Sequence, residues 1–524
     1  MKSAAAELLI STKAGYRQSP VFGPANVAID SAGLIVNRAQ SRPGSEAAMR
    51  AFKTLRDFLE FLETDKQLLR ITDAVSPEPD LAAAGRAINQ AGGETSPALL
   101  FNNIKGFAKA EVVMNAHGSW PNLALMLGME KDASLTQQFF EFVRRYRLFP
   151  GKMDHRTNAP WQEVVIENNI NLFSLLPLFR LNQGDGGFYI DKACIVSRDP
   201  DHWNNEDIQN VGMYRLQVKG KNRLVIQPVP MHDISIHLEH AEARGEDLPI
   251  AIAIGNEPII AVCAAMEILY DQSEYKMAAV LQGSDYPVVK SAKGLDVPWG
   301  SQYVLEGRIL ARQREIEGPF GEFPGQYSGC RNYPVIEIDR VSHCKDPLYE
   351  ALYLGMPWTE LDYMCAVNTS APLHVQLQSE IPEIVAVNAI YTLGFIIIVS
   401  TKRRYGGFAK AVGLRVMSTA HGLGYAKLVI VVDEDVDPFD MKQVMWAVST
   451  KVNPAGDVIM LPNMSIDVLD PASQPDGISH KMVIDATTPV PPDDRGSFGE
   501  QLGNPPQTDA WRTKLGAMLK DLHK

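Results

Sequence analysis

The chain has 524 residues, 45% of them hydrophobic, with 50 Lys+Arg against 62 Asp+Glu and a formal net charge of −12. That length supports about two to four domains with sizeable cores. The acidic balance argues against a nucleic-acid footprint, which needs a basic face, while leaving room for a local phosphate pocket.

Residues 1–49 are rich in Ala, Ser, Gly and Arg, hold only Glu7, Asp30 and Glu46 as acids, and lack clear periodicity. Such composition mimics an organelle transit peptide. The expectation is instead an extension ahead of Met49, without assigned chemistry and not needed for folding. From residue 50 to 165 helix and strand patterns alternate. Phe52, Leu55, Phe58, Leu59 and Leu62 share one helical stripe. Leu68 to Ile71 reads as a strand, and Pro79 to Gln90 as a helix closed by Gly92-Gly93. Strands at Ala98 to Phe101 and Glu111 to Met114, and helices at Pro121 to Met129 and Thr136 to Leu148, complete an expected α/β domain.

From residue 166 to 345 strands and turns dominate. Asn210 to Lys219 and Arg223 to Gln227 straddle the turn Gly220-Lys-Asn222, a hairpin signal. Ile250 to Ile254 and Ile259 to Ala264 read as two further strands, so a β-barrel-like middle domain is expected. Residues 346–488 return to α/β, with strands Phe395 to Val399 and Leu428 to Val432 and helices near Phe408 to Met417 and Pro438 to Ala447. The most apolar run, Ile384 to Ser400, carries Asn388 and Gly394 and is short of the ~20 residues a membrane span needs. It reads as a helix end followed by a buried strand. Residues 489–524 read as a Pro/Gly-rich linker and a last helix with Trp511, Leu515, Met518, Leu519 and Leu522 on one stripe. An apolar stripe beyond a linker must dock somewhere, and a second subunit is the expected partner. The five cysteines, Cys194, Cys263, Cys330, Cys344 and Cys365, form no C-x-x-C pair and read as free thiols of a reducing cytosol.

Two stretches carry chemistry. Asn210-Val-Gly-Met-Tyr-Arg215 puts an amide oxygen and a guanidinium five residues apart, and Glu317-Gly-Pro-Phe-Gly-Glu322 holds two carboxylates either side of a stiff spacer. An arginine clamps a carboxylate substrate bidentately. One glutamate can tune that arginine while a second moves a proton. The residues alone therefore point to an enzyme acting on a carboxylic acid. Lys427-Leu-Val-Ile-Val-Val-Asp433-Glu434 mimics a Walker B strand, but the chain has no G-x-x-x-x-G-K-[ST] loop and no G-x-G-x-x-G after a strand. Asp433, Glu434, Asp435 and Asp437 are then solvated loop or helix N-terminal acids. Gly184-Asp-Gly-Gly187 reads as a flexible turn near the site.

In this order, and from about Phe52 to Lys524, the chain resembles the UbiD-type decarboxylases, which use prenylated FMN. Leu181-Asn-Gln-Gly-Asp-Gly-Gly-Phe-Tyr189, Gln227-Pro-Val-Pro-Met-His232, Gly355-Met-Pro-Trp-Thr-Glu360 and Tyr405-Gly-Gly-Phe-Ala-Lys410 make it most similar to the large subunit of the reversible hydroxyarylic acid (4-hydroxybenzoate and vanillate type) decarboxylases. The resemblance implies an N-terminal α/β domain, a central split β-barrel that binds the flavin, and a C-terminal α/β domain with a terminal helix. It implies that Arg215 holds the substrate carboxylate, that Glu317 pairs with Arg215, and that Glu322 donates the proton after CO2 leaves. Asn210, His232 and Glu274 are implied as metal ligands, although their spacing is not itself a metal signature. Amide oxygen, carboxylate and one imidazole suit Mn²⁺ or Mg²⁺ better than a thiolate metal, and a K⁺ nearby is implied as well. Val211, Gly212, Met213, Tyr214, Arg215, Gln227, Met231 and His232 would line the flavin, and Lys402 would meet its phosphate. The implied reaction is reversible, non-oxidative decarboxylation of a 4-hydroxybenzoate, vanillate or protocatechuate type acid. The implied partners are a flavin prenyltransferase that supplies the cofactor, a small accessory subunit and further copies of the chain (dimer or hexamer), in the cytoplasm and without nucleic acid or membrane. Two alternatives stand beside it: a decarboxylase of a cinnamate-type unsaturated acid, and a non-catalytic flavin-binding subunit, against which the intact Arg215, Glu317 and Glu322 argue.

Overall fold

The computed structural model describes residues 27–29, 35–37, 50–229, 232–356, 358–390, 394–473, 477–492 and 502–522. Val27–Ile29 and Ile35–Asn37 pair antiparallel within a separate unit, residues 1–46. The rest of the expected N-terminal extension lies outside the described residues, as does Met231. Everything below concerns residues 47–524.

The first helix, Leu55–Thr64, starts at a capping box in which Thr54 and Asp57 satisfy each other's backbone N–H groups. It buries Leu55, Phe58, Leu59 and Leu62, the stripe that its spacing predicts. Beside it a four-stranded sheet runs in the order Leu348–Glu350, Glu111–Met114, Ala98–Phe101, Leu68–Ile71. The helices Ala82–Gly92, Trp120–Met126 and Leu135–Tyr146 complete the expected α/β texture.

The central sheet has nine strands. Its order is Gln209–Met213, Ala193–Arg198, Leu248–Ile254, Tyr303–Glu317, Arg331–His343, Arg223–Ile226, Leu216–Val218, Tyr189–Ile190, with Val164–Ile166 off the path beside Arg331–His343. The segment expected as one strand, Asn210 to Lys219, is therefore two strands near opposite ends of the sheet. Only Tyr214 and Arg215 join them. A two-residue step reaches no more than about 10 Å, so the sheet has to curl until its ends approach, and Arg215 stands where they meet. The expected hairpin over Gly220-Lys-Asn222 is present, with Leu216 opposite Ile226.

Two further expectations fail for local reasons. Pro258–Ala264 is a helix, not a strand: Pro258 fills its first turn, where no N–H is missed, and the Glu257 carboxylate accepts the N–H groups of Ile259 and Ile260 at 2.8 Å each. The apolar run Ile384 to Ser400 holds two antiparallel strands, Ile384–Asn388 and Ile396–Thr401, rather than a helix end and a strand. These belong to the C-terminal five-stranded sheet, in the order Ile384–Asn388, Ile396–Thr401, Leu428–Asp433, Ile478–Ala486, Val458–Ser465. The helices Phe408–Met417 and Met441–Lys451 pack on it. The last helix, Thr508–Leu522, leaves Trp511, Leu515, Met518 and Leu519 exposed on the single chain. All five cysteines are free.

Candidate active site

Arg215 is buried at the closing point of the sheet, and its guanidinium is shared by two carboxylates. Nε donates to Glu317 Oε1 at 3.0 Å and Nη2 to Glu317 Oε2 at 2.8 Å, a bidentate fork. Nη1 donates to Glu322, and Nη2 also reaches Ser328 Oγ at 3.3 Å. The Phe320 ring lies 5.0 Å from the guanidinium carbon, within cation–π range. Glu317 ends the long strand Tyr303–Glu317 opposite Arg331, and Glu322 sits in the loop between those strands. One arginine thus meets both ends of the Gly-Pro-Phe-Gly spacer.

The loop is held from below. Gly318 adopts φ +93°, and a Cβ there would come within 2.8 Å of the Gly329 carbonyl, so only glycine fits. Asp185 accepts the Gly321 and Asn182 N–H groups, each at 2.8 Å, and Gly186 N–H donates to Pro319 O at 2.8 Å. The turn Gly184-Asp-Gly-Gly187, expected to be flexible, is a tied support of this loop. A Cβ on Gly186 would fall 2.2 Å from the Gly318 carbonyl, so the two loops touch backbone to backbone. Tyr189 Oη donates to Glu317 Oε1 at 2.9 Å.

The two glutamates are not equivalent. Glu317 receives three side-chain donors, two from Arg215 and one from Tyr189. Glu322 receives Arg215 Nη1 and a backbone N–H from Phe323. Burial lifts the Glu322 pKa above the usual carboxylate range; the Arg215 charge and hydrogen bond offset this only in part, and Asp467 adds to the rise. For Arg215 burial pulls downward, but the Glu322 and Glu317 carboxylates outweigh it and hold the proton more firmly. Glu322 is therefore the member of the set suited to carry a proton.

A second group forms around Tyr214. Asn210 Nδ2 donates to Tyr214 Oη at 3.3 Å, Val211 N–H donates to Glu274 Oε2 at 3.2 Å, and the Tyr214 ring lies 5.5 Å from the His232 imidazole. Asn210 and His232 thus flank one tyrosine, and Glu274 meets the strand that carries Asn210 through the Val211 N–H; the three come from a strand, the residue before the helix Asp233–Arg244 and a helix start. Burial raises the Glu274 pKa well above its ordinary value, and the hydrogen bonds that oppose this come from backbone N–H groups. Burial lowers the His232 pKa, and its buried Nδ1 has no hydrogen-bond partner among the described residues. A buried carboxylate, an imidazole with an orphaned nitrogen and an amide are donor types that suit a divalent cation.

Gln227 N–H donates to the Arg215 carbonyl at 3.3 Å, so the proposed flavin-lining residues from 210 to 215 and Gln227 are contiguous. Lys402 stands apart. It is exposed at the C-terminal end of Ile396–Thr401, whereas Phe395, before the other end, packs its ring 5.7 Å from that of Phe323. A strand of this length puts Lys402 roughly 20 Å from that contact. Lys427 is on the near side: its N–H donates to the Phe395 carbonyl at 3.0 Å and its Nζ meets Asp470 Oδ2 at 2.8 Å. The sequence offered it only as the first residue of the Walker-like decoy. Tyr189, Asp185, Ser328 and Asp467 were likewise not singled out as site residues, although Tyr189 and Asp185 fall inside a motif quoted for the resemblance.

Family models match three successive segments. They are the N-terminal domain of 3-octaprenyl-4-hydroxybenzoate carboxy-lyase (UbiD) at residues 59–141, its Rift-related domain at 152–357 and its C-terminal domain at 362–486. The phenolic acid decarboxylase of Bacillus subtilis (strain 168) is 57% identical over 467 residues, 89% of this chain and 98% of that protein. The vanillic acid decarboxylase of Sedimentibacter hydroxybenzoicus, solved in closed form, matches with a TM-score of 0.84 at 50% identity, over 90% of this chain and 100% of that one. The UbiD-class enzyme HmfF from Pelotomaculum thermopropionicum, solved in complex with FMN, matches with a TM-score of 0.76 at 31% identity, over 87% of this chain and 98% of that one. An evolved dimeric form of HmfF, in complex with prFMN, matches at 29% identity with a TM-score of 0.74, over 88% of this chain and 98% of that one. The chain belongs to the UbiD carboxy-lyase family.

Proposed function

We propose that this chain catalyses the reversible, non-oxidative decarboxylation of a para-hydroxylated aromatic acid, of the 4-hydroxybenzoate, vanillate or protocatechuate type, to the phenol and CO2. The observation that carries the proposal is the division of Arg215: two N–H groups are committed to Glu317 and a third edge is lent to Glu322. A substrate carboxylate can take that third edge when Glu322 is protonated and lets go. Aromatic acids of the phenolic class are what the named relatives at 50–57% identity act on.

The cofactor in this proposal is prenylated FMN with Mn²⁺ or Mg²⁺, and K⁺ alongside. When bound, the flavin supplies the electron sink for the pair left on the ring carbon when CO2 departs. Asn210, His232 and Glu274 would hold the metal. Backbone from Val211 to Arg215, with Gln227 and Met231, would line the flavin, Lys402 or, beside Phe395, Lys427 would meet its phosphate, and the central sheet would be its binding domain.

The chain's own residues do the rest. Arg215 binds and orients the substrate carboxylate, and Glu317 keeps the guanidinium in register. The buried stretch 320–323 of the loop would keep water from the guanidinium. After the bond to CO2 breaks, the proton moves from the Glu322 carboxyl to the vacated ring carbon, closing the balance ArCOO⁻ + H⁺ → ArH + CO2. Glu322, again a carboxylate, returns to Arg215 Nη1. In the carboxylating direction the same oxygen takes the proton off. Supply of the cofactor by a flavin prenyltransferase, a small accessory subunit, and assembly of several copies through the helix Thr508–Leu522 complete the proposal. No helix among the described residues is long and apolar enough to cross a membrane.

The test is a panel of benzoic and cinnamic acids assayed for CO2 release, with protein produced alone or together with a flavin prenyltransferase. Turnover of para-hydroxylated benzoates by the co-produced protein alone is expected. Full activity with plain FMN would sink the cofactor assignment, and turnover confined to cinnamates would overturn the substrate class.

A further inference from the structure

We infer that Tyr189 is a positioning residue for the decarboxylation proposed above, its hydroxyl locking Glu317 and, through it, the Arg215 fork. Tyr189 lies in the two-residue strand Tyr189–Ile190, which pairs antiparallel with Leu216–Val218 so that Tyr189 faces Gln217 and Ile190 faces Leu216. The sheet register therefore brings the tyrosine alongside the closing step that holds Arg215. Its side chain is buried. Oη donates at 2.9 Å to Glu317 Oε1, the same oxygen that takes Arg215 Nε at 3.0 Å. Its ring lies 4.5 Å from that of Phe320, and Phe320 in turn lies under the guanidinium at 5.0 Å. Tyrosine, phenylalanine and arginine pack in series, the two rings tilted by 51°, with Glu317 bonded to both ends of the series.

The packing needs only a ring. A buried hydroxyl aimed at a carboxylate oxygen already bonded to arginine calls for a separate explanation. Arg215 faces two carboxylates with similar reach, and a guanidinium free to choose between them would present no fixed edge to a substrate. The extra donor makes Glu317 the permanent partner and leaves Glu322 as the one that exchanges. Burial and the Glu317 charge raise the Tyr189 pKa, so the phenol keeps its proton and acts as a donor throughout. Arg215 and Asp185 are the other charged groups that act on the phenol.

The test compares wild-type protein, Tyr189→Phe and a variant with 4-aminophenylalanine at 189, which restores an N–H donor at the same place. Each is co-produced with a flavin prenyltransferase, and rates are expressed per bound flavin. Tyr189→Phe should keep its flavin content and melting temperature yet lose kcat/KM on the order of ten- to a hundredfold, the worth of a hydrogen bond to a charged group. The amino variant should recover most of that loss. Calorimetry of 4-hydroxybenzoate binding to the flavin-free proteins gives a second readout. Tyr189→Phe should weaken binding in the wild-type background but not in Glu317→Gln, because coupled sites are non-additive. A wild-type kcat/KM for Tyr189→Phe, or equal weakening in both backgrounds, would overturn the inference. An inactive wild-type protein would instead refute the decarboxylase proposal, so the two failures are distinguishable.

Discussion

The Asp185 carboxylate lies 2.8 Å from the Gly321 amide and 2.8 Å from that of Asn182, so one side chain ties the glycine-rich turn to the loop that carries Glu322. Asp185→Ala leaves both N–H groups without that acceptor, at about 1–3 kcal/mol each. The cost should stay local, because the strands on either side of the loop are paired to each other and to Leu248–Ile254 and Arg223–Ile226. Amide hydrogen exchange across residues 318–328 should quicken, and kcat/KM should fall about tenfold or more. Unchanged exchange in that loop would show that Asp185 does not hold it.

Lys192 ties the core together elsewhere. Its Nζ lies 2.6 Å from both Glu350 Oε1 and Glu360 Oε1 and 3.0 Å from His117 Nδ1, all four residues being buried. Glu360 also accepts the Asn115 and His117 N–H groups, at 2.8 and 2.7 Å. Lys192→Met strands two buried carboxylates and should destabilise the fold by about 3–5 kcal/mol, measured by urea denaturation at neutral pH.

The same cluster sets an acid limit. Burial alone would raise the Glu360 pKa, but Lys192 and His117 outweigh it and bring it from 4.5 down to about 2. A depressed folded-state pKa contributes stability above the unfolded value and loses it as pH falls through the folded one. Denaturation midpoints should therefore decline between pH 4.5 and about 2, and Lys192→Met should flatten this component. An unaltered acid slope in the variant would contradict the assignment.

Glu274→Gln and His232→Ala should each lower Mn²⁺ content and, with it, flavin retention, because an ion and the phosphate it anchors bind together. Metal analysis and flavin absorbance of the purified proteins read both. Wild-type stoichiometry in both variants would refute the ligand set.

How legible this was in the sequence depended on how local the cause was. Leu55, Phe58, Leu59 and Leu62 announce a helix because burial there repeats with the helical period. Pro258–Ala264 is buried on every side, so it shows no period, and its helix is decided by a cap at Glu257 and a proline. The break at Tyr214-Arg215 is invisible because strand-forming residues run through it, and only pairing with Ile190 and Cys194 separates the two halves. Arg215, Glu317 and Glu322 could be grouped through a motif resemblance. Tyr189 meets Glu317 across 128 residues, Lys192 meets Glu360 across 168, and neither contact leaves a trace in local spacing. The resemblance assigns Lys402 to the flavin phosphate; in the structure it follows the end of Ile396–Thr401 away from the Phe395–Phe323 contact, a distinction the local sequence does not carry.

The proton assigned to Glu322 is the centre of the account, and exchange of product ring protons in D2O, followed by NMR on flavin-loaded protein, tests it most directly. Wild-type enzyme should exchange the proton at the carbon that carries the carboxylate in the acid. Glu322→Gln keeps size and hydrogen bonding but has no proton to transfer, so exchange should drop on the order of 10²-fold or more with flavin content unchanged. Arg215→Lys, a point charge in place of a fork, should weaken carboxylate binding while leaving exchange into the phenol, which has no carboxylate, less affected. Exchange in Glu322→Gln as fast as in wild type would contradict the account and pass the proton to another acid, Glu317 first.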